Sequence, residues 1–277
     1  MPNQNFKSAR SSLAKGLSRF MDEPEAQAES WRWFEEGLGW GRARMHAHGE
    51  ELITADIENQ LDTWFNRRKN GEPWAYILGW AIWRRRRFRV TPATLIPRPE
   101  TEMVFESALW LAEKVEARRV VDVGTGAGIL GITFALDTQL GVTATDISVE
   151  ALSIAKKNAL DHGANLDWIR GDLLEPVSGP LDLVISNPPY IAPEDEATLQ
   201  REISFEPRTA LFAEDHGMAI IKRLLEQGIE RKVKGLVTEI GSGQGSEVKS
   251  SALKMGWRCV EIKKDIAGHD RALIATC

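Results

Sequence analysis

The chain has 277 residues, 43% apolar and 27% charged with 12 prolines, a composition that excludes a disordered, collagen-like or disulfide-scaffold protein. Against a typical domain of about 150 residues, its length implies one large domain or a medium one with a smaller companion. A net charge of −5 argues against a protein held to nucleic acid by bulk electrostatics. No apolar run reaches the ~18 residues that span a bilayer, so no membrane partner is expected.

Two cysteines, Cys259 and Cys277, fit a reduced, cytoplasmic compartment. The totals hide an uneven distribution. Seven of the ten tryptophans (Trp31, Trp33, Trp40, Trp64, Trp74, Trp80 and Trp83) fall in the first 90 residues, with 15 Lys/Arg against 12 Asp/Glu, a net of +3. The other 187 residues carry 20 basic and 28 acidic side chains, a net of −8. The asymmetry suggests two segments with different tasks.

Residues 1–70 read as helices. Leu13, Leu17 and Met21 recur every fourth residue, Trp31, Phe34 and Leu38 share a face, and so do Ile57, Leu61, Trp64 and Phe65, with Thr54 as an N-cap. Residues 71–100 become aromatic, β-branched and proline-rich, which predicts a hairpin and an extended linker. A helix over 101–117 opens an alternation: strand 119–123, helix 127–137, strand 141–146, helix 148–162, strands 166–170 and 181–186, helix 217–232, strand 234–240, helix 246–255, and strands near 257–263 and 271–276. Alternating strands and helices of this length mean βαβ units and a mostly parallel α/β sheet of seven strands, whose ligands bind at the carboxyl ends of the strands.

The first of these strands, Val120-Val121-Asp122-Val123, runs into Gly124-Thr125-Gly126-Ala127-Gly128 at the start of a helix. Glycines there let the backbone approach a ligand closely. Twenty-two residues beyond Gly124, Asp146 ends the next strand, where a carboxylate can accept both hydroxyls of a ribose. Together they say nucleoside cofactor. Gly126, Gly128 and Gly131 also satisfy G-x-G-x-x-G, so the dinucleotide fingerprint is met on spacing. Asp122 separates the two readings, because an acid at this strand end suits a cofactor with a cationic amino-acid end, such as S-adenosylmethionine, and lies awkwardly close to a pyrophosphate. Asp172, with Leu173 after it, follows the third strand where an adenine amino group could be met, or is a solvated loop acid.

The apolar strand Leu181 to Ser186 ends in Asn187-Pro188-Pro189-Tyr190. Paired prolines fix φ and donate nothing, so the Asn187 side chain and the Pro188 carbonyl can be held as rigid acceptors. An amide or amine nitrogen could donate one N–H to each, its lone pair aimed at an activated methyl group, while Tyr190 packs on the planar substrate. The catalysis is positioning and needs no histidine or cysteine.

The pairing of glycine loop and tetrad resembles class I S-adenosylmethionine-dependent methyltransferases that modify planar nitrogens. Glu72-Pro73-Trp74-Ala75-Tyr76-Ile77-Leu78-Gly79, Thr94-Leu95-Ile96-Pro97-Arg98-Pro99-Glu100-Thr101-Glu102, Phe205-Glu206-Pro207-Arg208-Thr209-Ala210-Leu211 and Asp265 to Arg271 are similar to signatures of the HemK/PrmC protein-(glutamine) methyltransferases. The resemblance implies a Rossmann-like methyltransferase sheet over 101–277, a hairpin and linker over 71–100 and a substrate-recognising helical domain over 1–70. It implies methyl transfer from S-adenosylmethionine to the glutamine of the Gly-Gly-Gln motif in class 1 peptide chain release factors, which modulates translation termination. Asp122, Gly124 to Gly128, Asp146, Asp172, Leu173 and Asn187 would serve the cofactor, Pro97 to Glu100 would line its side, and Asn187, Pro188, Pro189 and Tyr190 would hold the glutamine. Where some family members carry an aromatic residue against the adenine, this chain has Leu173. The competitors are a glutamine methyltransferase of a large-subunit ribosomal protein and an adenine-amino methyltransferase of DNA or RNA. The acidic catalytic half argues against the second, as no stable nucleic-acid partner is expected.

Three signals are set aside. His46-x-His48 reads as a solvated loop and no metal site is expected. Gly241 to Gly245 lacks the lysine of a P-loop and reads as a strand-to-helix turn. Arg84-Arg85-Arg86-Arg87-Phe88-Arg89 reads as one solvated face of the hairpin. Any tryptophan of the first 90 residues left exposed would mark a surface that meets the substrate protein.

Overall fold

The computed structural model describes residues 4–277, and its chain divides into two compact units between Leu78 and Gly79. In the first unit the helices are α1 (Phe6–Leu17), α2 (Glu23–Arg32), α3 (Arg42–His48), α4 (Ala55–Lys69) and α5 (Trp74–Leu78). Asn5 caps α1, accepting from the Ser8 N–H, and the Ser8 hydroxyl accepts the Asn5 N–H in return; Thr54 caps α4 as expected. A single π-helical turn, Trp33–Gly37, prolongs α2 and carries Trp33 and Phe34 into the core. Trp33 stacks on Trp74 at 4.7 Å, and Trp64 meets both edge-on.

Two expectations are corrected here. The helical segment runs past residue 70, because Trp74 and Ile77 on α5 belong to the same apolar cluster as Trp33 and Trp64. The prolines and aromatics of 71–78 thus start a short helix rather than a hairpin. His46 and His48 lie on α3, not in a loop, and both are exposed. Among the described residues, no helix is long and apolar enough to cross a membrane.

The second unit opens with a hairpin, β1 (Trp80–Trp83) and β2 (Arg86–Arg89). Then follow α6 (Thr101–Lys114), β3 (Arg119–Val123), α7 (Ile129–Thr138), β4 (Gly141–Asp146), α8 (Val149–His162), β5 (Asp167–Arg170), β6 (Leu183–Ser186), α9 (Arg208–Leu211), α10 (Ala219–Glu230), β7 (Gly235–Glu239), α11 (Gly245–Met255), β8 (Cys259–Lys264) and β9 (Asp270–Thr276). Apart from α9 and two short 3-10 turns, Pro193–Thr198 and Arg201–Phe205, the elements match the predicted ones to within a few residues.

Seven strands form one sheet in the order β5-β4-β3-β6-β7-β9-β8, parallel except for β9, which runs antiparallel to both neighbours. The predicted seven-stranded, mostly parallel α/β sheet is therefore present. Its central strands are apolar on both faces, as burial under two helical layers requires. One layer sets α6 and α7 against Val120, Leu183 and Val237; the other sets α10 and α11 against Val121, Val184 and Leu236. Strand order reverses between β3 and β6, so the crevice beyond their carboxyl ends is the topological switch point.

The arginine run is in part the solvated face expected, with Arg85, Arg87 and Arg89 exposed, yet four of its five guanidiniums also have partners within the unit. Arg86 pairs with Asp137 at 2.7 Å, Arg89 with Asp161 at 2.6 Å, Arg84 with Glu106, and Arg87 stacks over Trp80 at 4.0 Å. Arg84 and Arg85 take φ of +45° and +62°, the two left-handed positions of a tight hairpin turn that usually falls to Asn-Gly. Of the seven tryptophans of the first 90 residues, Trp31 and Trp80 are half-buried and the other five are buried.

Candidate active site

At the switch point lies a cavity of about 340 Å³, lined by the turn after β3, the end of β4, the turn after β5 and, of the tetrad after β6, Asn187 and Pro189. The glycine loop forms its floor. Gly126 has φ of +55° and points its N–H at Asp146 Oδ2, 2.8 Å away; the other oxygen, Oδ1, accepts the Ser148 N–H at 2.9 Å. Burial raises the Asp146 pKa, opposed by hydrogen bonds from the backbone of Ser148, Gly126 and Ile147. Buried Asn158 on α8 anchors the loop from behind, donating to the Ala127 carbonyl at 2.8 Å while exchanging hydrogen bonds with the backbone of Arg89 on β2.

Asp122 is 1% exposed. Its Oδ2 accepts from the Thr125 hydroxyl at 2.6 Å and the Gly131 N–H at 2.8 Å, and Oδ1 is buried without a partner among the described residues. Burial pushes its carboxyl up to about 6. Gly131 must be glycine for reasons of space, since a Cβ there would stand 2.8 Å from Asp122 Oδ2. Asp172 pairs with Arg223 at 2.8 Å and borders the cavity, as does Leu173, which is held at φ of +48°.

The Ser186 hydroxyl donates to the Val123 carbonyl at 2.8 Å, locking the ends of β6 and β3 together just before the tetrad. Asn187 and Pro189 line the cavity and Pro188 is buried. Asn187 Nδ2 donates to Thr101 Oγ1 at 3.1 Å, and the Thr101 hydroxyl donates to Glu239 Oε2 at 2.7 Å. Tyr190 donates its hydroxyl to Glu239 Oε1 at 3.1 Å rather than leaving it to solvent. Burial pushes the Glu239 carboxyl up to about 7 and holds the Tyr190 phenol well above its usual range. Gln244, in the turn before α11, donates to the Tyr190 carbonyl at 3.0 Å, so the glycine-rich turn after β7 buttresses the tetrad.

Pro97 and Arg98 line the cavity, while Pro99 borders an adjacent groove under the hairpin. The segment is clamped by Glu206, whose side chain is 2% exposed. Glu206 accepts the Ile96 N–H at 2.9 Å and pairs with Arg98, so the Ile-Pro-Arg-Pro and Phe-Glu-Pro-Arg stretches meet in the fold. Sequence reasoning assigned no role to Thr101, Glu239, Gln244 or Glu206. A signal existed for Glu239, an acid ending an otherwise apolar parallel strand beside the tetrad strand.

Comparison with known proteins follows the same division. Residues 11–79 match the PrmC N-terminal domain model and residues 107–240 the methyltransferase small domain model. Release factor glutamine methyltransferases of Neisseria gonorrhoeae (39% identical over 84% of this chain and 87% of that protein), Staphylococcus aureus (39%, 84% and 86%) and Bacillus subtilis (39%, 86% and 86%) are among its relatives. Among solved structures, the hMettl16 catalytic domain in complex with the MAT2A 3'UTR hairpin 6 matches with a TM-score of 0.58 at 16% identity, over 82% of this chain and 84% of that one. Human methyltransferase 10 domain containing protein matches with a TM-score of 0.51 at 14% identity, over 81% and 99%. At these identities the two structures speak for the sheet architecture alone. With residues 11–79 and 107–240 matched by family models and relatives sharing more than a third of their residues over most of their length, the chain belongs to the release factor glutamine methyltransferase family.

Proposed function

We propose that the chain transfers a methyl group from S-adenosylmethionine to the side-chain amide nitrogen of the Gly-Gly-Gln glutamine in class 1 peptide chain release factors, and so modulates translation termination in the cytoplasm. The observation that carries this reading is the convergence, at one switch-point cavity, of a glycine loop beneath Asp122 and Asp146 with a proline-fixed Asn187. The first helical unit, over residues 4–78, is assigned the selection of the release factor, since every cofactor and tetrad residue lies outside it.

The donor set fits the cofactor. Asp122 Oδ1 is a buried acceptor with no partner among the described residues and suits an ammonium group. The Asp146 carboxyl, at the cavity wall, suits the paired hydroxyls of a ribose. When bound, S-adenosylmethionine supplies a methyl group on a positively charged sulfur, open to in-line displacement. The protein's task is to present the nucleophile. An amide nitrogen attacks poorly because its lone pair is delocalised into the carbonyl. Asn187 Oδ1 and the Pro188 carbonyl, each accepting one N–H of the glutamine amide, would hold the nitrogen so that the lone pair is free toward the methyl group. Rigid acceptors lower the barrier by orientation, with no reorganisation at the moment of transfer. Arg223 draws Asp172 to one side of the cavity, so its carboxylate meets a ligand only as half of an ion pair.

Incubation with radiolabelled S-adenosylmethionine and, in separate reactions, a class 1 release factor, a large-subunit ribosomal protein and DNA tests the assignment. Label is expected in the release factor, on the glutamine of its Gly-Gly-Gln motif. Label in the ribosomal protein or DNA alone would overturn it.

A further inference from the structure

We propose that Glu239 is a positioning residue which, through the Thr101 hydroxyl, fixes which end of the Asn187 amide faces the substrate. The inference rests on the methyl-transfer reading and supplies something that reading leaves open. An asparagine side chain is nearly symmetric in shape, yet only its oxygen can accept an N–H from the glutamine. Turned by 180°, it would offer an N–H to an N–H, and the nucleophile would lose one of its two anchors.

Hydrogen-bond directionality settles the orientation. An ionised carboxylate accepts and cannot donate. Glu239 is 1% exposed and receives the Thr101 hydroxyl proton on Oε2 at 2.7 Å and the Tyr190 hydroxyl proton on Oε1 at 3.1 Å. Thr101 has a single proton, and once it is committed to Glu239 its oxygen is left only with lone pairs. The Asn187 group facing Thr101 must then be the donor, as it is, with Nδ2 at 3.1 Å. Oδ1 is left over, and among the described residues it takes no hydrogen bond. The order Glu239, Thr101, Asn187 is therefore a one-way relay of polarity from the end of β7, through the first residue of α6, to the tetrad after β6. Thr101 is fully buried, so water cannot substitute for its hydroxyl. By also holding Tyr190, Glu239 ties both ends of the tetrad to one carboxylate.

Protonation of Glu239 would break the relay, since the acid could donate to Thr101 Oγ1 and free the threonine proton to attract Asn187 Oδ1. The groups facing Glu239 are Thr101, Tyr190, Glu100 and Arg271, with Glu100 favouring the protonated form and Arg271 opposing it; burial pushes the carboxyl up to about 7. Tyr190 in turn feels Arg271 and Arg98.

The test compares kcat at saturating S-adenosylmethionine with a release factor for wild type, Glu239→Gln, Thr101→Val and Thr101→Ser, alongside cofactor Kd by calorimetry. Loss of orientation at a reacting group is expected to lower kcat by about 10- to 100-fold in Glu239→Gln and Thr101→Val. Thr101→Ser, which keeps the hydroxyl, should stay within about threefold of wild type, and cofactor Kd should stay within about twofold in all three, because the relay does not touch the glycine loop. Wild-type kcat should fall as pH drops through about 7, and Glu239→Gln should lack that limb. Undiminished kcat in either Glu239→Gln or Thr101→Val overturns the inference, and so does an equal loss in Thr101→Ser, which would mean packing and not polarity. If Glu239→Gln fails to fold, the Thr101 pair decides. A wild-type protein that methylates no release factor refutes the functional reading and this inference with it; an active wild type with unaffected variants refutes this inference alone.

Discussion

Gly217, just before α10, offers a perturbation whose size can be worked from the structure. An added Cβ would stand 2.0 Å from the Tyr190 carbonyl oxygen, 2.7 Å from its carbon and 2.9 Å from Gln244 Nε2, where ordinary contact begins at 3.4 Å. The first two neighbours are backbone of the tetrad and cannot rotate away. In Gly217→Ala the Tyr190 peptide must therefore withdraw by about 1 Å, which strips it of the Gln244 hydrogen bond and pulls the tyrosine hydroxyl from Glu239. Gly217 also sits at φ of +82°. The left-handed backbone costs about 1–2 kcal/mol for a residue with a Cβ, and the broken hydrogen bond about 1 kcal/mol more. At roughly 2–4 °C per kcal/mol for a chain of this size, Tm is expected to fall by about 5–10 °C. Misplacement of reacting groups by about 1 Å is expected to lower kcat by roughly 100-fold with little change in cofactor affinity. The control is Gly163→Ala at the end of α8, where φ is +67° and nothing lies within 4 Å of the new Cβ. It carries the backbone strain without the clash, and should lose about 1–2 kcal/mol of stability with kcat intact. Methyl-transfer rates and thermal unfolding of the two variants side by side decide the matter. Equal kcat in both would refute the idea that the Tyr190 carbonyl is held in place by the absence of a Cβ at Gly217.

Asn187→Ala removes the acceptor at the end of β6 and is expected to abolish detectable methyl transfer while cofactor Kd, by calorimetry, shifts less than about threefold; turnover near wild type would dismiss the acceptor role. Asp122→Asn keeps an oxygen for Thr125 and Gly131 and replaces the orphan Oδ1 with an amide, so cofactor binding should weaken. Because burial raises the Asp122 carboxyl from 3.8 to about 6, the native state holds its proton more tightly than the unfolded chain and stability drops as pH rises from about 4 to 6. Above pH 6 the ionised carboxylate costs on the order of 3 kcal/mol, so the ligand-free variant should gain in Tm over wild type as pH increases through that window, and an unchanged difference between pH 4 and 7.5 would count against it. Arg98→Ala leaves buried Glu206 with the Ile96 N–H alone and should cost about 1–3 kcal/mol in urea unfolding; full stability would show that the clamp is not needed.

The sheet and its helices were legible because their signals are local and repeated. Apolar strands alternated with amphipathic helices, and the order of these elements alone set the switch point between β3 and β6. That Asp122, the glycine loop, Asp146 and Asn187 meet at one cavity was legible because each sits at the end of an element the pattern defines. What escaped notice was whatever depends on contact between distant stretches. Thr101 and Glu239 are 138 positions apart, Arg98 and Glu206 are 108, and nothing in the local pattern of either partner announces the other. Helix α5 was missed for a related reason. Pro73 and a run of large side chains looked like strand punctuation, and only the stacking of Trp74 on Trp33, 41 residues earlier, makes helix the better state.

The charge asymmetry fares differently, because it depended on where the chain was cut. Taken over the first 90 residues the net is +3, but up to Leu78, where the first unit ends, there are 10 Lys/Arg against 12 Asp/Glu, a net of −2. The five arginines that reversed the sign, Arg84 to Arg87 and Arg89, lie on the β1–β2 hairpin of the catalytic unit. There most of them are taken up by Glu106, Asp137, Asp161 and the face of Trp80. The second unit is then only mildly acidic, with 25 basic against 28 acidic residues. Paired guanidiniums have little field left to offer a distant partner, while a hairpin pinned to α6, α7 and α8 can hold the backbone of Arg89 against Asn158 and so support the glycine loop. The basic run therefore works from inside the second unit, where the backbone of Arg89 holds Asn158 and, through it, the Ala127 carbonyl of the glycine loop.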